Sequence, residues 1–593
     1  MKPSVSKTLL FFILALGIGF NSFSQSSYRV FFTDKKGSEY NPYEYLHPKA
    51  IERRILHGLN LCDSSDFPVS ENYLIEINKL SETMNGVSRW MNMVFINASE
   101  ENINKIKKLP FVKKVEPSFK YSQSTVCNYK TEINFDTTLS DRQIMMLASQ
   151  LDRMNGKLLK ANNLDGKGVR IAIIDAGFKS YIDNPAFEHI RKRNGIIATY
   201  DFVKNRTNAN SGMTHGTNVF SCIAGQIGNH QIGLATGADF LLARTESFTE
   251  FFSEEENWLI AAEWADKNGA DIINSSLGYT IQRYLPEDMN GKTTFVSKAA
   301  QLAVDKGILV VSSAGNEGSG VWKRVAAPGD AAGVLTVGGI DPYTGIHSNF
   351  SSFGPSWDKR LKPEVCAYGT ALVAGKYGLT ISDGTSFSSP LVAGFAACLK
   401  QRYPQLKNTE LKELICHSGD MWPYYDYAHG YGVPQPYFLF KDTLENKPTL
   451  SIIEDNEDIT LYPIEWDTAF SKDSNSFWDS AFIHQRFEEK DSLNNKYDDT
   501  ISETGSTIAD TGFYEDNHLI EDQTNSQKAY KTTLPDYLFY HIKNKKGYLD
   551  KYYVLDLRDE ENGSVSISKS ISEKPFSIEF YYKGYYKEII IKE

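Results

Sequence analysis

Four short stretches of this 593-residue chain hold side chains able to do covalent chemistry. In Gly168-Val-Arg-Ile-Ala-Ile-Ile-Asp175-Ala-Gly177, an ionisable aspartate ends an apolar run and a glycine permits the turn after it. Thr214-His215-Gly216-Thr217 runs into Asn218-Val-Phe-Ser-Cys-Ile-Ala-Gly225, where Val219, Cys222 and Ile223 make one helical face and His215 sits just before it. Ser312-Ser-Ala-Gly315-Asn316-Glu-Gly318 follows the apolar run 308–311, and its small residues let a backbone or ligand come close. Asp383-Gly384-Thr385-Ser386-Phe387-Ser388-Ser389-Pro390 opens a run to Cys398 that is apolar on every side, the pattern of a buried helix. Ser386 lies at its positive end, where an oxyanion is favoured, and Pro390 is tolerated in the first turns. Each residue alone also reads as plain structure: a turn aspartate, a packing histidine, a turn asparagine, a capping serine. Together, in the order Asp, His, Asn, Ser, they supply a nucleophile, a base, a carboxylate to orient the base and a donor for an oxyanion.

The elements that must position them come from residues 145–440. Apolar runs at 169–174, 240–243, 271–274, 308–311 and 334–337 read as parallel strands covered on both faces. Between them, Trp258, Ala261, Ala262 and Ala265, and then Phe295, Ala299, Leu302 and Ala303, fall at helical spacing. This alternation predicts a doubly wound, mostly parallel α/β domain with its site at the carboxyl ends of the strands. Residues 26–120 read as a small α+β unit with strands at 28–33, 73–77, 92–96 and 112–115 and helices at 48–59 and 99–109. Residues 121–144 read as a linker, and 441–530 as an acidic, polar, partly mobile segment. Residues 531–593 alternate tightly and predict an all-β domain, a sandwich.

Residues 1–25 carry Lys2 and Lys7, an apolar core from Leu9 to Phe20 and small residues at Ser22 and Ser24, the layout of a secretory signal peptide. That core is shorter than the roughly 20 residues a membrane-spanning helix needs. The expectation is a secreted, periplasmic or cell-surface protein with no integral membrane segment after signal removal. With 63 Lys plus Arg against 74 Asp plus Glu, the net charge of -11 argues against nucleic acid as a partner. Six cysteines without a CxxC pair or zinc spacing indicate neither a disulfide framework nor a structural zinc site. Cys222 and Cys398 read as packing residues.

From about 145 to 435 the chain resembles the subtilisin-like serine peptidases, the subtilase family. The segments holding Asp175, His215, Asn316 and Ser386 resemble its four motifs in family order. Gly233-Leu-Ala-Thr-Gly-Ala-Asp239 and Ala326-Ala-Pro-Gly329 fit its framework loops. The resemblance implies a secreted serine endopeptidase acting on protein or peptide substrates. In it Ser386 attacks, His215 is the base, Asp175 orients it, and Asn316 with the Ser386 N–H receives the oxyanion. It further implies that Ser276-Leu277-Gly278 pairs with an extended substrate and that Ala314-Gly315 walls the primary specificity pocket. Residues 92–117, ending Val112-Lys-Lys-Val-Glu116-Pro117, resemble the end of a subtilase inhibitor propeptide, implying a zymogen whose own propeptide is a partner. Residues 226–232 carry no carboxylate cluster where the family's calcium loop would fall, so no metal or cofactor is assigned and calcium stays open. Glu254-Glu255-Glu256 could attract a cation but reads as a solvated face. Residues 580–592 vaguely resemble a C-terminal sorting domain, although a stability or substrate-docking module fits the β-domain better. A narrow processing peptidase and a non-catalytic binding protein on the same scaffold are the alternatives; the latter usually lacks a triad member, and none is missing here.

Overall fold

Alternate residues of the strand Arg170–Asp175 point into two different cores. Ile171 and Ile173 pack with Val219, Phe220, Leu391 and Phe395. Ala172 and Ile174 pack with Trp258, Ala262, Ala299 and Ala303. A strand buried on both faces needs helices on both, and the helices His215–Ala224 and Thr385–Arg402 cover one face while Glu254–Lys267 and Phe295–Asp305 cover the other. The computed structural model describes residues 26–118, 133–134, 139–247, 253–281, 283–436, 448–464, 536–557 and 564–592. The signal segment, most of the expected linker and most of the expected acidic segment lie outside them.

The sheet has seven strands in the order Val365–Tyr368, Leu335–Ile340, Leu309–Ser313, Ile272–Ser275, Arg170–Asp175, Asp239–Arg244, Ile196–Asp201. Every neighbouring pair is parallel. Five of these strands follow the apolar runs. Ile196–Asp201 is a half-exposed edge strand and Val365–Tyr368 is Val-Cys-Ala-Tyr with a single β-branched residue, so neither shows as an apolar run. From Arg170–Asp175 the chain goes first to the edge strand Ile196–Asp201, returns inward to Asp239–Arg244, and then crosses to build outward from Ile272–Ser275 on the other side, which places the topological switch point at the carboxyl ends of Arg170–Asp175 and Ile272–Ser275.

The front unit is a four-stranded antiparallel sheet, ordered Thr83–Ser88, Met93–Ala98, Ser26–Phe32, Val112–Pro117. Alternation along Met93–Ala98 splits its residues between two partners. Val94 and Ile96 face the unit's own helices, whereas Met93 and Phe95 join the core of the large domain. The expected strand at 73–77 is instead part of the helix Glu71–Leu80. Tyr73, Ile75 and Ile77 mimic a period of two, but Leu74, Ile77 and Leu80 at helical spacing meet the core, and Ile75 is left exposed.

The front unit is bound to the large domain by buried charges. Asp266 accepts from both Arg53 and Arg54, Arg54 also pairs with Asp66, and Lys306 Nζ reaches Asp66 at 3.1 Å. Glu263 accepts from Ser88 Oγ and from the N–H groups of Arg89 and Trp90. Glu254, Glu255 and Glu256, read from the sequence as a solvated face, are all buried. Arg283 pairs with Glu254 and Glu255, while Arg29 and Ser118 of the front unit bind Glu256 at 2.6 and 2.9 Å. The run is solvated only if nothing covers it, and here the front unit and Arg283 do.

At the C-terminal end, a three-stranded sheet (Leu450–Glu454, Asp458–Pro463, Val565–Ser568) and a four-stranded sheet (Leu549–Asp556, Tyr537–Lys543, Phe576–Tyr582, Tyr585–Ile591) share one core. The first two strands fall in the stretch expected to be acidic loop. The β-domain rests on the large domain through Tyr581, whose hydroxyl donates to the Asp420 carbonyl at 2.5 Å, and through Tyr424 and His429 against Phe539. Among the described residues no helix is long and apolar enough to cross a membrane.

Candidate active site

Asp175 ends its strand at the switch point, fully buried, with Oδ1 accepting from the Ala176 N–H at 2.7 Å. His215 is the first residue of the helix His215–Ala224, and its Nδ1 lies 2.7 Å from Asp175 Oδ1. Two glycines allow this approach. The Gly216 N–H donates to the Gly177 carbonyl at 2.8 Å, and a Cβ on Gly216 would lie 2.5 Å from that oxygen and 3.0 Å from Asp175 Cβ. Gly177, at φ +150°, has no room for a side chain against Ser211 and Met213. Any larger residue at either point would separate the imidazole from its carboxylate.

Ser386 is the second residue of the helix Thr385–Arg402, which follows Gly384 in a left-handed conformation at φ +145°. This helix and the His215 helix share one hydrophobic core, and the His215 ring lies 5.9 Å from that of Phe387. The Ser386 hydroxyl donates to the Ser276 carbonyl at 3.2 Å, and the Ser276 hydroxyl donates back to the Ser386 carbonyl at 2.8 Å.

Asn316 is held by one neighbour. Its Oδ1 accepts from both the N–H and the hydroxyl of Thr385, each at 2.9 Å. The same hydroxyl accepts from the Gly315 N–H at 3.1 Å, with Gly315 at φ +105°. With its oxygen engaged twice, the amide presents its NH₂ end away from Thr385, ready to donate. Thr385 is a residue of the candidate site that sequence reading passed over. It stood beside Ser386 in the motif, but nothing in its type reveals that it faces an asparagine 69 positions away.

The residues assigned to substrate binding divide. Ser276 and Leu277 are buried, Ser276 in the bonds above and Leu277 in the core. Gly278 is exposed. Ala314 is buried beneath the half-buried Gly315. The two assigned stretches meet at Ala326: a Cβ on either Gly278 or Gly315 would lie 3.1 Å from the Ala326 Cβ. Of the five assigned residues, Gly278 and Gly315 are the two that are not buried, and Ala326 lies between them.

Glu246 is a second group the sequence did not mark. It follows Thr245, whose N–H donates to the Asp175 carbonyl at 3.0 Å. Its carboxyl accepts from the Tyr279 hydroxyl at 3.1 Å and is pushed up to about 7, first by burial and then by the Asp175 charge. Cys222 and Cys398 are fully buried, and burial pushes both thiols far up. Among the described residues no cluster of three or more His, Cys, Asp or Glu could hold a metal ion.

A doubly wound sheet thus carries a carboxylate and an oriented amide beyond the carboxyl ends of its central strands, with an imidazole and a hydroxyl on the first turns of two helices that cover it. Residues 166–437 match the Subtilase family, and residues 27–133 match the Peptidase S8 propeptide domain of Bacteroidota. Subtilisin of Bacillus pumilus is 31% identical over 269 residues, 45% of this chain and 88% of that protein. Subtilisin NAT of Bacillus subtilis subsp. natto is 30% identical over 269 residues, 45% of this chain and 64% of that relative, so less than two-thirds of its length is spanned. A solved structure of MycP1 with its N-terminal propeptide removed is 25% identical, covering 50% of this chain and 99% of that one at a TM-score of 0.40. The chain belongs to the subtilase family.

Proposed function

We propose that this protein is a secreted serine endopeptidase made as a zymogen, with residues 1–25 as its export signal and the unit before residue 120 as its propeptide. The observation that carries the chemistry is the buried 2.7 Å pair between His215 Nδ1 and Asp175 Oδ1. A proton held on Nδ1 by that carboxylate leaves Nε2 as the acceptor. The Ser386 hydroxyl turns from the Ser276 carbonyl, gives its proton to Nε2, and its oxygen bonds the scissile carbonyl carbon. The charge that collects on the carbonyl oxygen is received by the Asn316 NH₂ and the Ser386 N–H. His215 then protonates the leaving amine as the C–N bond breaks, and a water repeats the sequence to release the acyl group.

The propeptide reading is supported by the buried charges that Arg29, Arg53 and Arg54 place against the large domain. The test is the intact mass of the secreted protein, wild type beside Ser386→Ala, with peptide hydrolysis measured before and after a serine-directed phosphonate. The expected result is loss of an N-terminal piece ending near residues 117–140 in the wild type only, and hydrolysis abolished by the phosphonate. Equal trimming of both proteins, together with hydrolysis indifferent to the reagent, would remove Ser386 from its role.

A further inference from the structure

Between the catalytic domain and the β-domain lies a cleft of about 630 Å³ that none of the candidate site residues lines. That volume lies within the range of ordinary ligand pockets, which often form where two domains meet. One wall carries Lys323, Arg324, Lys359 and Tyr427; the other is the hairpin joining Tyr537–Lys543 to Leu549–Asp556, with Tyr548 and Tyr552.

The charge of the cleft is opposite to that of the protein. Three cations line it against one carboxylate, Asp550, on a chain whose net charge is -11. Among the described residues Lys323 and Lys359 have no carboxylate partner. Among the described residues the Arg324 guanidinium meets the Pro355 carbonyl at 3.4 Å and stands over the Trp357 ring at 5.7 Å. Lys323 and Lys359 also sit at φ +58° and +68°, a left-handed conformation that glycine and asparagine adopt far more cheaply. Tyr548 is 48% exposed and Val321 beside it 91% exposed, so apolar surface is offered next to the cations.

The cleft also continues into the catalytic wall. The Val325 N–H donates to the Phe353 carbonyl and the Ala326 N–H to the Ala314 carbonyl. Arg324 of the cleft therefore lies two residues, roughly 7 Å along an extended chain, from Ala326, which packs against Gly278 and Gly315. We propose that this cleft binds an acidic segment of a protein substrate carrying tyrosine or phenylalanine, as an attachment point separate from the cut bond. Its carboxylates meet the three cations and its rings stack on the tyrosines. Only the identity of the bound chain as substrate rests on the endopeptidase reading.

The experiment is fluorescence anisotropy of a short labelled peptide of Glu, Asp, Tyr and Gly on the full-length Ser386→Ala protein, across a salt series. A control peptide carries Lys in place of the acids. The expected result is salt-sensitive binding of the acidic peptide alone, weakened about ten-fold or more by Lys323→Glu with Lys359→Glu, and partly by the milder Lys323→Gln with Lys359→Gln. In protein retaining Ser386, these variants should hydrolyse a short neutral peptide at the wild-type rate, which shows that they are folded. Absence of binding, or equal binding by wild type and variants, would overturn the proposal. So would binding seen only after residues 465–535 are deleted, since the chain's own acidic segment would then be the occupant. A sulfated polysaccharide that displaces the peptide at far lower concentration would also overturn it. Loss of the endopeptidase reading would show as no hydrolysis of the neutral peptide and would leave the binding result standing.

Discussion

Thr385→Val removes one hydroxyl and keeps the side chain's shape. That hydroxyl makes two bonds, donating to Asn316 Oδ1 and accepting from the Gly315 N–H. The Thr385 N–H still holds the amide by one bond, so the asparagine stays in place but is less restrained. A neutral hydrogen bond contributes about 0.5–1.5 kcal/mol net. Losing one restraint on the amide and one partner of Gly315 should cost about 1–2 kcal/mol in the transition state, or about 5- to 30-fold in kcat. The ceiling is removal of the donor itself, Asn316→Ala, at about 10²- to 10³-fold, a range established on a subtilisin. KM should hardly change, because the donor acts on charge absent from the ground state. The assay is steady-state hydrolysis of a short neutral peptide by Thr385→Val, Thr385→Ser, Asn316→Ala and the double variant. Thr385→Ser should recover most of the loss, and Thr385→Val should slow the Asn316→Ala protein less than it slows the wild type. If Thr385→Val slows the Asn316→Ala protein as much as it slows the wild type, Thr385 does not act through Asn316 and the reasoning fails.

Asp175→Asn should preserve the fold but lower kcat by about 10⁴, because the amide favours the wrong imidazole tautomer; a loss below ten-fold in the same assay would contradict the pairing. Asp266→Ala should destabilise the docked front unit by about 3–5 kcal/mol, since it leaves Arg53 and Arg54 buried without their shared acceptor. Chemical denaturation of full-length Ser386→Ala, with and without this change, would reveal it as an earlier transition. The Glu263 carboxyl, enclosed by Ser88, Arg89 and Trp90, is pushed up to about 7 by burial. A carboxyl raised on docking stabilises the docked state fully below its ordinary value near 4.5, and that contribution is lost as the pH rises through about 7. Burial pushes His57 the other way; its Nε2 accepts from the Asn408 N–H at 2.9 Å, so its contribution is lost as the pH falls. Glu263→Gln should therefore flatten the weakening of docking as the pH rises from about 4.5 to about 7, and His57→Gln the opposing weakening as the pH falls below 6.5, read as denaturation midpoints of the Ser386→Ala protein across acid to neutral pH.

The placement of the candidate site was legible because its residues stand at the ends of elements that announce themselves. Asp175 closes an apolar run, and Ser386 opens a helix apolar on all sides. The central strands were legible because burial on both faces demands continuous apolar sequence. The edge strand Ile196–Asp201 and the strand Val365–Tyr368 were missed because the one is half exposed and the other holds a single β-branched residue among Cys, Ala and Tyr. Residues 73–77 misled because tyrosine and isoleucine at alternate positions satisfy a strand, while the same stretch also satisfies a helix and only packing chooses.

The sequence by itself determined which chemical groups this protein has and the local turns that present them, since a residue's neighbours along the chain are set by covalent bonds. Gly177, Gly216 and Gly384 are of this kind: each permits a backbone approach or turn within a few positions of a side chain of the candidate site. Tertiary structure alone decided what surrounds the charged groups. Glu254-Glu255-Glu256 reads as a solvated face until Arg29, 227 positions away from Glu256, and Arg283 arrive to bury and pair it. Thr385 became the anchor of Asn316, and Glu246 the neighbour of Asp175, for the same reason. The energy of a charge or hydrogen bond depends on what displaces its water, and distant segments supply that only once the chain has folded.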